Sequence, residues 1–194
     1  MAKEGYTDIK QVQAYFGRRV CNIITKFGKK IVAWDDLLDS GTSPEGKILQ
    51  WYTTKRSTYL PDGLAAGFNM IICPGNPFYL DYKQSASDKI SHAGGVQAHT
   101  LDQIYNYEVE ENALVLGVQA NLWTEHIMYE DRLDYMAFPR LLALAELAWT
   151  KTENKNYDNF LMRLDKEYRY LDKMGIYYYD VRNQDNHPEP PYKN

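Results

Sequence analysis

Ile31-Val32-Ala33-Trp34 is an apolar run, too short for a helix, rich in strand formers and followed at once by Asp35-Asp36. Three more runs repeat it: ILQW (48–51), NMIIC (69–73) and LVLGVQ (114–119). Around them the spacing turns helical. Ile9, Val12, Phe16, Val20, Ile23 or Ile24, and Phe27 recur at three and four residues, which predicts a helix over 8–27 closed at Gly28. A second helix is expected from Pro61, a favoured first helical position, to Gly67. A third runs from Asp131 to Trp149, interrupted by Pro139, and a fourth over 157–174 ends at Gly175. Buried strands alternating with helices make βα units, hence an α/β fold on a parallel sheet.

The unusual residues fall at one kind of place. Trp34-Asp35-Asp36, Trp51, Tyr79-Leu80-Asp81 and Trp123-Thr124-Glu125 each stand at or just past the C-terminal end of a strand run. In α/β folds that edge binds ligands. Aromatic platforms beside carboxylates that accept hydroxyl protons are what a carbohydrate site requires. Composition agrees: 17 Tyr, 6 Phe and 4 Trp in 194 residues exceed what a core of this size needs, so some rings should face a ligand.

Charge narrows the partners. Against 26 acidic residues stand 22 basic ones, a net −4, which argues against a nucleic-acid footprint. No apolar run approaches the ~20 residues of a membrane span. Cys21 and Cys73 read as buried free thiols, without the spacing of a disulfide framework or a metal site, and no cofactor is expected. The start, MAKEGYTDIK, lacks the apolar segment of a signal peptide, and the compartment stays open. The tail NQDNHPEPPYKN, within 181–194, is polar and proline-rich and reads as frayed or extended beside a body of residues 1–180.

VAWDD (32–36), the strand ending at Trp51, CPGNPFYLDY (73–82), LGVQANLWTEH (116–126) and FPRLLALAELAWT (138–150) together resemble the C-terminal part of the catalytic barrel of family 20 glycoside hydrolases, the β-N-acetylhexosaminidases. The resemblance covers residues 8 to 180. It implies the C-terminal half, about strands five to eight, of a TIM (β/α)8 barrel. Trp34, Trp51 and Trp123 then correspond to the rings walling the terminal N-acetylhexosamine, and Tyr79 to the tyrosine whose hydroxyl holds the acetamido oxygen. Asp81 and Glu125 correspond to carboxylates that bind hydroxyls of that sugar. The implied chemistry is substrate-assisted retention, in which the acetamido oxygen attacks the anomeric carbon. The implied partners are N-acetylhexosamine-containing glycans, and the parent enzyme would be secreted or periplasmic. Glu146 reads as a buried structural carboxylate with Arg140 as its partner.

The departures are as informative. The family's general-acid Glu and the Asp before it lie in a His-x-Gly-Gly-Asp-Glu type motif, and no such pair occurs here. Asp35-Asp36 does not stand in for it by position, and the early sugar-binding arginine is absent too. Ser85–Thr100, where the family often places another pocket tryptophan, holds no aromatic residue; its His92 and His99 read as surface histidines. The expectation is a fragment of the enzyme, inactive alone, that associates with itself through exposed barrel edges. Two other readings stay open: a non-catalytic sugar-binding module, and an inert structural domain.

Overall fold

The computed structural model describes residues 5–53, 56–90 and 97–191. It divides into two compact units, one made of the chain up to Pro74 with Val109–Gly117, the other of Gly75–Glu108 with the chain from Val118 onward.

In the first unit α1 (Ile9–Lys26) starts where the Asp8 carboxylate accepts the Lys10 N–H at 3.0 Å, and gives way to Gly28 at φ 67°. The strands are β1 (Ile31–Trp34), β2 (Lys47–Trp51), β3 (Asn69–Ile72) and β4 (Val115–Val118). Among the described residues they make one four-stranded sheet in the order β1-β2-β3-β4. The first two pairings are parallel, with Ala33 opposite Leu49 and Leu49 opposite Met70; the Met70 N–H donates to the Leu114 carbonyl at 2.8 Å. A 3-10 helix, Asp35–Ser40, leaves β1, and α2 (Tyr59–Ala65) crosses between β2 and β3.

Leu49, Met70, Ile72 and Phe68 form the core here, each no more than 1 % exposed. Gly63 lets α2 come this close: a β-carbon there would stand 3.0 Å from the Met70 sulfur. The predicted α1 stripe is present, yet Ile9, Phe16 and Phe27 are exposed, and so is Val32 on edge strand β1. Periodicity reports the helix; it does not report what covers it.

The second unit is helical. A short turn α3 (Gly75–Phe78) is followed by α4 (Leu101–Tyr105), where the Thr100 N–H donates to Gln103 Oε1 at 3.0 Å. Pro139 splits the predicted long helix into α5 (Glu130–Ala137) and α6 (Arg140–Trp149), because proline has no N–H to continue the ladder. The last helix, α7 (Tyr157–Met174), is capped by Asn156 and terminated by Gly175 at φ 72°. It buries Phe160, Leu164, Tyr168 and Leu171, one stripe at helical spacing. No helix among the described residues is long and apolar enough to cross a membrane.

The tail, read as frayed or extended, is held by hydrogen bonds in this unit. Glu189 accepts the backbone N–H groups of Lys89 and Ile90 at 2.6 and 2.9 Å, and Tyr177 Oη donates to the Pro188 carbonyl at 2.8 Å. Many of the surplus rings also pack on one another, Tyr168 on Tyr178 at 4.2 Å and Tyr135 edge-on to Tyr179 at 5.5 Å. Both cysteines are buried.

Candidate active site

At the end of β1, Trp34 is half-buried with its ring edge-on to Tyr52, centroids 5.1 Å apart. It borders a recess of about 260 Å³ that is also lined by Phe16, Gly17 and Leu37. Register assigns Trp34 to the sheet face of Gln50, whereas Trp51 pairs with Ile72 on the face of Leu49. Trp51 is buried, and its indole N–H has no acceptor among the described residues.

The acidic pair after Trp34 is structural. Asp35 is fully buried and accepts the Tyr52 and Thr53 N–H groups at 3.2 and 3.0 Å and the Thr53 hydroxyl at 3.0 Å. It thereby ties the start of the 3-10 helix to the exit of β2. Burial raises its pKa against those three bonds. Asp36 accepts from Tyr52 Oη at 2.9 Å.

In the second unit, Tyr79 forms an isolated parallel bridge with Asn121. The Leu80 N–H donates to the Asn121 carbonyl at 2.7 Å, and the Asn121 N–H to the Phe78 carbonyl at 2.9 Å. Since Asn121 lies two residues before Trp123, this pairing brings the Tyr79 and Trp123 rings together, centroids 6.2 Å apart. Trp123 remains 42 % exposed. Asp81 is buried. Leu122 packs against the Tyr135–Met136–Tyr179 cluster, so the chain reverses side between Leu122 and Trp123. Glu125 is exposed but lies in a turn closed by the Ile127 N–H on the Thr124 carbonyl at 3.1 Å. The extended backbone at Leu122–Trp123 therefore stops short of Glu125.

Arg140 holds this segment from below. Fully buried, it donates through Nη1 to the carbonyls of Tyr82 and His99 at 3.0 Å each, and through Nη2 to those of Leu80 and Met136 at 2.6 Å. Burial lowers its pKa, opposed by the Asp88 and Asp81 charges. The partner of Glu146 is instead Arg163 on α7, in a two-pronged contact of 2.6 and 3.1 Å. An arginine is long enough to leave its own helix face, so sequence neighbourhood in α6 did not predict its partners.

His99 is also buried rather than superficial. Its Nδ1 lies 2.9 Å from the Tyr79 carbonyl oxygen and its ring stacks on Tyr82 at 4.3 Å. Burial pushes its pKa down to about 4. His92 lies outside the described residues. Neither His99 nor Arg140 was read as bearing on Tyr79. The legible signal was Arg140, a lone charge opening the otherwise apolar RLLALA run. A cleft of about 600 Å³ in this unit, lined by Asp88, Ile90, Tyr135, Glu189 and Pro190 among others, contains none of the six predicted sugar-site residues. No cluster of ligands suited to a metal ion occurs among the described residues.

Residues 1–152 match the family model described as glycosyl hydrolase family 20, catalytic domain. A β-hexosaminidase of Porphyromonas gingivalis is 35% identical over 191 residues, covering 92% of this chain and 24% of its own length. One from Vibrio furnissii is 32% identical over 154 residues, 75% of this chain and 25% of its own. Among solved structures, the exo-β-N-acetylglucosaminidase of Vibrio harveyi in complex with N-acetylglucosamine matches at TM-score 0.81 and 27% identity, over 93% of this chain and 29% of that one. A Streptomyces plicatus N-acetyl-β-hexosaminidase matches at 0.80 and 27%, over 95% of this chain and 38% of that one. The chain thus spans about a quarter of the length of these curated relatives.

Proposed function

Because the chain belongs to glycosyl hydrolase family 20 and its α/β fold with a parallel sheet matches part of that family's TIM (β/α)8 barrel, we propose that it is the C-terminal half of the barrel and carries the substrate-contacting wall of a β-N-acetylhexosaminidase. The observation that carries this reading is the Tyr79–Trp123 ring pair, set on two bridged segments with the buried Asp81 alongside. In this reading Tyr79 is the catalytic contact. Its hydroxyl donates to the acetamido oxygen of a terminal N-acetylhexosamine and holds that oxygen in line for attack on the anomeric carbon. Trp123 walls the sugar beside Tyr79, and its apolar face excludes competing water. Asp81 and Glu125 accept hydrogen bonds from its hydroxyls.

The 194 residues contain no Asp-Glu dipeptide to supply the general acid and its neighbour. On that ground the chain by itself binds the sugar without cleaving the glycoside. Exposed Val32 on edge strand β1 supports self-association of the isolated chain, which sedimentation as a compact monomer would exclude.

Ligand-detected NMR tests the central claim, with N-acetylglucosamine as probe and glucose as control. Saturation should pass to the acetyl methyl, and it should weaken in Tyr79→Ala. Equal response to both sugars, or none to either, overturns the reading.

A further inference from the structure

Tyr79 lies in no regular ladder. One isolated bridge pairs it on the side of Asn121, and the peptide unit that joins it to Leu80 has two polar ends to satisfy. Its N–H is taken by the Asn121 carbonyl at 2.7 Å, and its carbonyl oxygen lies 2.9 Å from His99 Nδ1. A carbonyl oxygen only accepts, so Nδ1 carries the proton and donates. This one plane fixes the ψ of Tyr79 and the φ of Leu80. It therefore sets where the Tyr79 ring leaves the chain, and it leads directly into Asp81.

His99 is itself immobilised. Its ring lies on Tyr82 at 4.3 Å with the planes 18° apart. Its N–H donates to the Lys83 carbonyl at 2.8 Å, and its carbonyl accepts from Arg140 at 3.0 Å. Arg140 grips the Leu80 and Tyr82 carbonyls as well, so donor and target hang from one buried guanidinium. A histidine needed only to fill space would not require a donor directed at this carbonyl.

We infer that His99 is a positioning residue for the sugar site: its Nδ1–H fixes the Tyr79–Leu80 peptide and so aims the Tyr79 hydroxyl at the acetamido group. The aim toward a sugar rests on the function proposed above; the fixing of the peptide does not. Depression of the His99 pKa to about 4 keeps the ring neutral near pH 7 and is consistent with a single tautomer.

The test uses the whole chain with His99→Asn, which keeps an N–H donor, and His99→Leu, which has none. N-acetylglucosamine affinity is read by NMR titration, the Tyr79 carbonyl by its ¹³C shift and the His99 tautomer by ¹⁵N shifts. The leucine variant should bind roughly five- to tenfold more weakly, the worth of one neutral hydrogen bond, and the asparagine variant should recover most of that. Unchanged affinity in His99→Leu overturns the inference. If the wild type binds no sugar, the functional reading fails while the inference is decided by the Tyr79 shift, which must move in His99→Leu and return in His99→Asn. If His99→Leu does not fold, the wild-type tautomer decides: a proton on Nδ1 supports the inference and a proton on Nε2 alone rejects it.

Discussion

Arg140 Nη2 lies 2.6 Å from the carbonyl oxygen of Leu80, sixty residues away in sequence, with the guanidinium fully buried. The charge is tolerated because backbone oxygens surround it. Its electrostatic worth is spent on the connection between Tyr79 and Tyr82, where no regular strand supplies the usual hydrogen bonds.

Arg140→Met should therefore destabilise the chain by about 3–5 kcal/mol, since several buried carbonyls lose their donor at once. Arg140→Lys should recover little, because an ammonium is a point donor where a planar fork is needed. Urea denaturation measures both. A loss under about 1 kcal/mol for Arg140→Met would contradict the role assigned here.

Glu189→Ala should cost about 2–4 kcal/mol, lowering the melting temperature by roughly 4–16 °C for a chain of this size. The carboxylate accepts from Arg132 at 3.0 Å, where Arg132 is 2 % exposed, and also from two backbone N–H groups. Truncation would leave the arginine without its counter-charge. Because the pair is largely shielded from solvent, 0.5 M salt should change the wild-type melting temperature little. A flat response to Glu189→Ala would restore the frayed tail.

The contrast between those residues and the strands explains what was legible. IVAW, ILQW and NMIIC identify themselves because β-branched and apolar runs of four or five residues carry their own signal, and Pro139 and Gly175 mark helix ends through backbone constraints that any context respects. The Tyr79–Trp123 pairing was legible only through resemblance, since two segments about forty residues apart meet by one bridge. The roles of His99, Glu189 and Arg140 depend on which carbonyls come within reach of a side chain. That is settled by tertiary packing and leaves no periodic trace. The Pro-rich tail reads as frayed or extended, and what holds it, the Ile90 N–H donating to Glu189 and the Tyr177 hydroxyl donating to the Pro188 carbonyl, leaves no trace in its composition.

Acidification should weaken the fold through His99. In the unfolded chain histidine takes its proton near pH 6.5. Buried against the Tyr79 carbonyl it does so only near pH 4. Between those values the unfolded state holds the extra proton, so stability falls as pH falls, by up to about 1.36 kcal/mol per pH unit from this group. Denaturation at pH 7, 6, 5 and 4.5 should show a slope that His99→Asn reduces. Parallel slopes in the two proteins would mean the ring titrates normally.

The purified chain should not turn over aryl N-acetyl-β-glucosaminides. General acid catalysis alone is worth about 10²–10⁴-fold, and the carboxylate that would steady the acetamido group is missing with it. A chromogenic assay run to long times checks this. Turnover on the order of 1–10³ s⁻¹, ordinary for enzymes, would show that another residue supplies the proton.

Trp123 and Glu125 separate binding from folding. Both side chains are exposed, and neither anchors the core, which here is reached through Leu122. Trp123→Ala and Glu125→Gln should leave the unfolding midpoint almost unchanged. Their effect should fall on the sugar. A ring face exposed beside Tyr79 offers stacking area, and its loss should cost about tenfold or more in N-acetylglucosamine affinity. The carboxylate, held in the turn from Thr124 to Ile127, should accept from sugar hydroxyls as a charged acceptor, worth roughly 1.5–3 kcal/mol per bond before solvent screening. Its exposure reduces that, so Glu125→Gln should weaken binding about five- to tenfold. The two variants should also differ in kind. Removing the ring weakens N-acetylglucosamine and N-acetylgalactosamine alike, because stacking reads a face. Removing the charge should alter the ratio between them, because a carboxylate reads the direction of a hydroxyl. Titration of both sugars into both variants decides the matter, and an unchanged ratio in Glu125→Gln would remove Glu125 from the site.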